Sequence, residues 1–537
     1  MLKGIGSSGG YGIGKAVIIR DCTLDYKSVK YTTADDEKLR LRSAVERFEQ
    51  ETRSLVEDLK ENAGEKEAEI LEGHLMMLQD PFMLSQMEEG IDAGSVAEAA
   101  VDSVCTMFID MFSSVDDELT RQRASDVKDI KNSLLEILLG VEKTDISSVA
   151  KNSILIAKDF TPSMTSRINA KNVCAIVTEV GGVTSHSAIL ARAMGIPAVM
   201  SVVGATEVIA DGEELIVDGF KGKIITNPTS NELALYKQKY SDFLQEKESL
   251  NEYFGKATVT KSGVVKKVYG NIGRPEDVQN VLQSSGEGIG LFRTEFLFMD
   301  RDRCPTEDEQ FEAYSTVARA MGDKEVIIRT LDIGGDKAIE YLKIEREENP
   351  FLGHRAIRYC LDNTELYKTQ LKAILRAGQF GDIKIMLPLV TTLDEVRRAK
   401  ALIDECCAEL EEQGKRYKKA PLGVMIETPS AALISDLLAK EVEFFSIGTN
   451  DLTGYIMAVD RGNANVSSLY DVFQPSVLRA IEMTIKNAKA AGITVGMCGE
   501  AAAHADLIPK LVEWGLDEFS VSPSSILQTR KNICSCE

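Results

Sequence analysis

The sequence predicts a multidomain α/β protein in which a discontinuous α/β domain carries an all-helical insert and is followed by a (β/α)8 barrel. Three observations predict it. Eight short apolar runs after residue 256 are mostly spaced by enough residues for a helix, the rhythm of alternating strand and helix. Strand-like runs near the N-terminus and again from residue 153 flank a stretch whose only periodicity is helical. Finally, 537 residues with 44% hydrophobic and 27% charged side chains make a globular chain too long for a single core.

The opening "GIGSSGGYGIGKAVII" is a glycine-rich start running into a strand at Ala16–Ile19. Its GxG pieces precede a strand instead of following one and opening a helix, which excludes a dinucleotide fingerprint. From Ala34 onward, Leu41, Val45, Phe48, Thr52, Leu55 and Leu59 fall at steps of four and three residues, one face of a helix. Further helices are predicted at 65–79, ended by Asp80-Pro81, then from Ser95 with Glu98 completing a capping box, and at about 116–139. Strands resume at 153–157 and 173–177, followed by "TEVGGVTSHSAILARAMGIPAVM", a hairpin in "ELIVDGFKGKIITN" and a charged helix over 231–254. The N-terminal strand is expected to join this set. The expected boundaries are 1–21 with 144–228 for the α/β domain, 22–143 for the insert, 229–255 for a linking helix and 256–537 for the barrel. The eight barrel runs are 264–272, 288–292, 326–331, 383–389, 422–426, 444–447, 494–497 and 518–521.

Composition narrows the function. With 62 Lys and Arg against 84 Asp and Glu, the net charge of -22 repels a polyanion and argues against nucleic acid. It suits a small anion in a private pocket, or a basic protein partner steered by long-range attraction. The ten cysteines show neither CxxC pairs nor zinc spacing, so a disulfide scaffold and structural zinc are both disfavoured. No signal-peptide core and no run of 18 uncharged apolar residues occurs, so no membrane insertion and a cytoplasmic location are expected.

Charged residues follow the barrel runs. Arg293 and Glu295 follow the second, Arg329, Asp332 and Lys337 the third, Glu427 the fifth, Asn450 and Asp451 the sixth, Cys498 and Glu500 the seventh. C-terminal strand ends of a (β/α)8 barrel converge on one face, so these residues would line one mouth. Arginines and a lysine there make an oxyanion clamp, and Glu427 with Asp451 supplies hard oxygen ligands for Mg2+. The set describes a small phosphorylated acid bound with Mg2+; any single member reads equally well as a structural ion pair at the rim. Cys498 in "GMCGE" reads as a buried filler or, at a strand end between glycines, as a functional thiol that donates a proton.

His186 is one of only four histidines. It follows the Gly181-Gly182 turn, at the start of a predicted helix whose amides and dipole favour an anion, with the hydroxyls of Thr184 and Ser185 beside it. A histidine packing near a helix start is the plainer reading. Here the surroundings suit a phosphoryl group, and a neutral imidazole is a competent nucleophile toward phosphorus, so His186 is read as itself phosphorylated.

The motifs "GGVTSHSAILARAMGIPAV", "GIGLFRTEFLFMDR", "IRTLDIGGDK", "NPFLGHRAIR", "GVMIETP", "FFSIGTNDLTGYIMAVDRGN" and "VGMCGE" occur in this order. In them the chain resembles the Enzyme I family of the bacterial sugar phosphotransferase system, the phosphoenolpyruvate-protein phosphotransferases, over nearly its whole length. The resemblance implies that the α/β domain is a phosphohistidine domain and that His186 takes the phosphoryl group of phosphoenolpyruvate. It further implies transfer to a histidine of the carrier protein HPr docked on the helical insert, and release of pyruvate. By matching motif, Arg293, Arg329, Lys337, Arg355, Asn450, Asp451 and Arg461 would hold substrate, Glu427 and Asp451 would hold Mg2+, and Cys498 would protonate the enolate. Thr165 in "TPSMT" would orient the histidine ring. Family members are homodimers through the barrel domain whose halves swing apart. Val183 and Gly454 depart from the family pattern, which has a basic residue and a glutamine there; both bear on rate and substrate positioning, not on reaction class.

Two rivals are weighed. Pyruvate phosphate dikinases and phosphoenolpyruvate synthases share the histidine domain and barrel but add a nucleotide-binding domain, whereas this sequence opens on the Enzyme I start and has no P-loop. A regulatory phosphoprotein, whose output is binding to other proteins, would carry fused sensory or HPr segments, for which the sequence leaves no room.

Overall fold

The computed structural model describes the chain apart from residues 20–23, 63–64, 79–80, 114–117, 142–145, 147–148, 161–163, 165–167, 183–184, 300, 302, 335–338, 343, 345–346, 461–462 and 464–465, and apart from the side chains of 58–62, 65–70, 81, 118–122, 125, 186, 189, 193, 340 and 467. It divides into two compact units, Met1–Glu246 and Lys247–Glu537.

In the first unit, β1 (Leu2–Lys3), β2 (Ile5–Ser8), β3 (Tyr11–Ile19), β4 (Ser153–Ala157), β5 (Val173–Thr178), β6 (Ala198–Met200), β7 (Glu214–Asp218) and β8 (Lys223–Thr226) form one sheet. Their order is β1-β8-β7-β3-β4-β5-β6-β2. Strands β3 to β6 run parallel to one another, and the remaining pairings are antiparallel, including the predicted β7–β8 hairpin. Both faces are covered, which is why β4 reads as an unbroken apolar run. Ile154 and Ile156 enter one core with Ala175 and Val177, while Leu155 and Ala157 enter the other with Ile176, Ala188 and Ala191.

The glycine-rich start differs from expectation, because its second half is itself strand. A Cβ at Gly14 would lie 1.9 Å from the Asn152 carbonyl oxygen and 2.9 Å from Cys174 Sγ. The glycines let β3 approach its neighbours closely, a sheet role that composition alone reads as loop.

Between β3 and β4 the described residues form five helices, Ala34–Asn62, Glu65–Leu78, Pro81–Asp92, Ala97–Ser113 and Glu118–Leu139. Leu41, Val45 and Phe48 share a core with Met87, Val101 and Val127, as their spacing requires, and Thr52 is buried. Pro81 opens a helix that the sequence reading did not include, at the first-turn position where proline's missing N–H costs nothing. The expected Ser95–Glu98 box is replaced by tertiary partners: the Ala97 amide donates to Glu37 Oε2 at 3.0 Å, and buried Glu98 pairs with Arg40. Farther along the chain are the helix Ser230–Ser249 and the 3-10 turn Leu250–Tyr253.

The second unit is the barrel. Strands β10 (Val265–Ile272), β11 (Ile289–Arg293), β12 (Glu325–Arg329), β13 (Asp382–Leu387), β14 (Leu422–Ile426), β15 (Phe444–Ile447), β16 (Thr494–Met497) and β17 (Glu518–Val521) are all parallel, and β10 closes the ring by pairing with both β11 and β17. A short β9 (Thr258–Val259) pairs antiparallel to β10. The third and fourth predicted runs extend past their strands because Leu331 and Leu389 are buried in loops at the mouth, and apolar pattern cannot separate a buried loop residue from a strand residue. No helix among the described residues is long and apolar enough to cross a membrane, and the nine described cysteines are free.

Candidate active site

In the first unit, β5 ends at Thr178 and the chain turns through Gly181, whose φ of +96° favours glycine. Ser185 caps the helix His186–Ala193: its Oγ accepts from the Ala188 amide at 3.4 Å and donates to the Gly182 carbonyl at 2.9 Å. Ser187 Oγ donates to Asp159 at 3.2 Å, and Ser201 Oγ donates to the Gly181 carbonyl at 2.5 Å. The turn and first helical residues are thus held by three hydroxyls, those of Ser185, Ser187 and Ser201, with His186 the first residue of the helix. Its side chain, Val183, Thr184 and Thr165 lie outside the described residues.

The barrel mouth gathers most of the other candidates. Arg293 and Arg329 end adjacent parallel strands and are paired in register, which sets the two side by side. Arg329 Nη2 pairs with Glu295 at 2.7 Å and Nη1 with Asp332 at 3.0 Å. Arg355 reaches Asp332 at 2.8 Å and Asp451 at 3.5 Å. These groups form a charge-alternating chain, Glu295, Arg329, Asp332, Arg355, Asp451, of which all but the last are buried. Burial works against the charge on Arg329 and Arg355, but the carboxylates beside them outweigh it and hold both guanidiniums protonated well above their ordinary range. Among the described residues, the buried Arg329 Nε and the Arg355 Nε and Nη1 find no acceptor. Buried donors without acceptors are costly, and an anion in the mouth would satisfy them.

Glu427 follows β14, and Asp451 lies in the first turn of the helix after β15, whose bounds are Thr449–Met457. Glu427 Oε1 accepts from the Leu389 amide at 2.6 Å. Its pKa is pushed up to about 8 by burial and by the carboxylates of Asp451 and Asp332, against the opposing pull of Arg329. Burial and the neighbouring carboxylates thus make ionising Glu427 costly, and a cation beside it would relieve that cost. No group of three or more His, Cys, Asp or Glu side chains among the described residues could hold a metal ion by itself. Two carboxylates close enough to act on each other's charge fit an ion such as Mg2+, which keeps several water or substrate oxygens.

Asn450 is anchored by two contacts: the Tyr470 hydroxyl donates to its carbonyl at 2.9 Å, and its Oδ1 accepts from the Glu500 amide at 3.3 Å. Cys498 is buried beyond β16, its Sγ 3.8 Å from the Ile447 carbonyl, and burial pushes its thiol up to about 11. Asn450 and Asp451 also line a cavity of about 540 Å³ with Phe351, Gly454, Tyr455 and Tyr470. Lys337 and Arg461 lie outside the described residues. The contacts of Leu389 with Glu427 and of Tyr470 with Asn450 carry no sequence signal, since they join residues 38 and 20 positions apart.

Arginines and carboxylates gathered at the C-terminal ends of its parallel strands place the second unit in the (β/α)8-barrel class, whose sites lie on that face. The family of PEP-utilising enzymes matches in three parts: the N-terminal domain at 3–123, the mobile domain at 149–222 and the PEP-binding domain at 247–537. Phosphoenolpyruvate-protein phosphotransferases of Priestia megaterium and Listeria innocua are 43% and 44% identical over 534 residues, covering 99% of this chain and 93% of each relative. That of Bacillus subtilis is 43% identical, covering 99% and 94%. A solution structure of Enzyme I, nEIt, aligns at 33% identity over 45% of this chain and 99% of its own, with a TM-score of 0.41. The chain belongs to the phosphoenolpyruvate-protein phosphotransferase family.

Proposed function

We propose that the protein moves the phosphoryl group of phosphoenolpyruvate to His186 and from there to a histidine of HPr, releasing pyruvate, as the first step of a sugar phosphotransferase system. The observation that carries this reading is the pairing of Arg293 with Arg329 at the barrel mouth, beside Glu427 and Asp451. Arg293, Arg329, Arg355 and Asn450, joined by Lys337 and Arg461, bind the phosphate and carboxylate and orient the bridging oxygen for in-line departure. Mg2+ held by Glu427 and Asp451 would supply charge neutralisation at the phosphoryl oxygens.

The bond between phosphorus and the bridging oxygen breaks, and a bond from phosphorus to an imidazole nitrogen of His186 forms. The electron pair left on the oxygen makes an enolate. Cys498, a thiol at neutral pH, gives its proton to the methylene carbon of that enolate, and pyruvate leaves. The resulting thiolate, disfavoured by burial, regains a proton from water. Thr165 orients the imidazole. The phosphohistidine then visits HPr, so 1–21 with 144–228 act as the carrier domain, 22–143 as the HPr platform, 229–255 as the link and 256–537 as the phosphoenolpyruvate-binding and dimerisation domain. A cytoplasmic homodimer is the working form.

Intact mass and acid-labile phosphate, measured after mixing with phosphoenolpyruvate and Mg2+, test the proposal. Wild type gains one phosphoryl group per chain and passes it to HPr, whereas His186→Ala gains none. A folded wild type that stays unlabelled overturns the reading.

A further inference from the structure

The helix Thr364–Ala377 carries Gln370, a fully buried amide behind the barrel mouth. Its Oε1 accepts from the Leu331 amide at 2.9 Å, and its Nε2 donates to Thr294 Oγ1 at 3.1 Å and to the Tyr314 hydroxyl at 3.2 Å. Thr294 Oγ1 in turn donates to the Arg329 carbonyl at 2.8 Å, and the Tyr314 hydroxyl donates to Gln310 at 3.2 Å. The orientation of the amide is chemically determined, because a backbone N–H only donates and must face the carbonyl end.

The two strand ends tied in this way carry the clamp. Thr294 lies between Arg293 and Glu295, and Leu331 lies between Arg329 and Asp332. Leu291 enters the barrel interior and Phe292 the core outside it, so alternation turns Arg293 inward, while buried Thr294, in the turn just past β11, meets the outer helix through Gln370. The β11–β12 ladder shifts register between Ile289 and Phe292 and ends at the Arg293–Arg329 pair, and the tie takes over just past that last pair. On its other side β12 is held more firmly, where the Thr330 amide donates to the Met386 carbonyl at 2.9 Å. Ion pairs with Glu295 and Asp332 fix only the tip of Arg329.

We propose that Gln370 is a positioning residue for the anion clamp: from outside the barrel it stitches the ends of β11 and β12, and so fixes the separation of Arg293 and Arg329. The inference rests on the reading of that clamp as the phosphoenolpyruvate site.

Two quantities measured on the full chain test it: the phosphoenolpyruvate concentration giving half-maximal phosphorylation in Mg2+, and the rate of transfer from pre-phosphorylated protein to HPr. Gln370→Met and Thr294→Val should each raise the first by about tenfold and leave the second unchanged, since small misplacement of binding groups is costly. Because both cut one tie, the double variant should lose little more than either single variant. Tyr314→Phe keeps both strand-end contacts and should stay within about twofold of wild type. Should Gln370→Met fail to fold, Thr294→Val against Tyr314→Phe makes the same comparison. If both tie variants behave like Tyr314→Phe, or slow both steps equally, the inference is overturned. Arg329→Lys is the separate control, and normal saturation in that variant would overturn the clamp itself.

Discussion

At the scale of single residues, burial decides protonation at two places with opposite consequences. Cys498 keeps its proton because burial pushes the thiol up to about 11, and a proton donor needs that state at neutral pH. Cys498→Ala should therefore bind phosphoenolpyruvate normally but form pyruvate at least about 100-fold more slowly, as loss of a general acid does; rapid-quench measurement of pyruvate checks it. Glu518, at the start of β17, is buried with Oε1 unpartnered among the described residues, and burial with Glu325 nearby pushes its pKa up to about 8. A folded value above the unfolded one means that the native state holds the proton more tightly. Stability is then greatest below the unfolded value, falls as pH rises toward 8 and levels off above it. Glu518→Gln should flatten that slope, gaining on wild type in melting temperature between pH 6 and pH 9; parallel curves would sink the idea.

At the scale of elements, the strands were legible wherever burial is periodic or continuous. All eight barrel strands sit within the predicted runs or a residue beyond them, because parallel strands covered on both sides leave unbroken apolar stretches. The glycine-rich N-terminus was not legible, because its glycines answer to neighbours distant in sequence. Gly14→Ala would drive a Cβ into the Asn152 carbonyl and should cost about 1–3 kcal/mol of the first unit's stability, read as a lowered melting transition. Likewise, the N-terminus of Ala97–Ser113 takes its partner from Glu37 on another helix, which no local motif announces.

At the scale of the whole molecule, the chain holds two compact units with separate cores. Calorimetry should resolve two unfolding transitions, and phosphoenolpyruvate with Mg2+ should raise only the one belonging to the barrel, since a ligand stabilises the unit that binds it. Equal shifts of both transitions would contradict a clamp confined to the barrel. Residue type and spacing by themselves determined the barrel, the helical insert and the set of charged residues at strand ends, because hydrophobic period and strand-end position are local properties of the chain. Only the tertiary structure decided which charges meet. Arg355, 26 residues beyond Arg329, shares Asp332 with it, and Gln370 ties two strand ends from a helix outside the barrel. The reason is that a charge or amide inside a protein takes whichever partner the packing brings within about 3 Å, and packing joins segments whose separation along the chain carries no information about their separation in space.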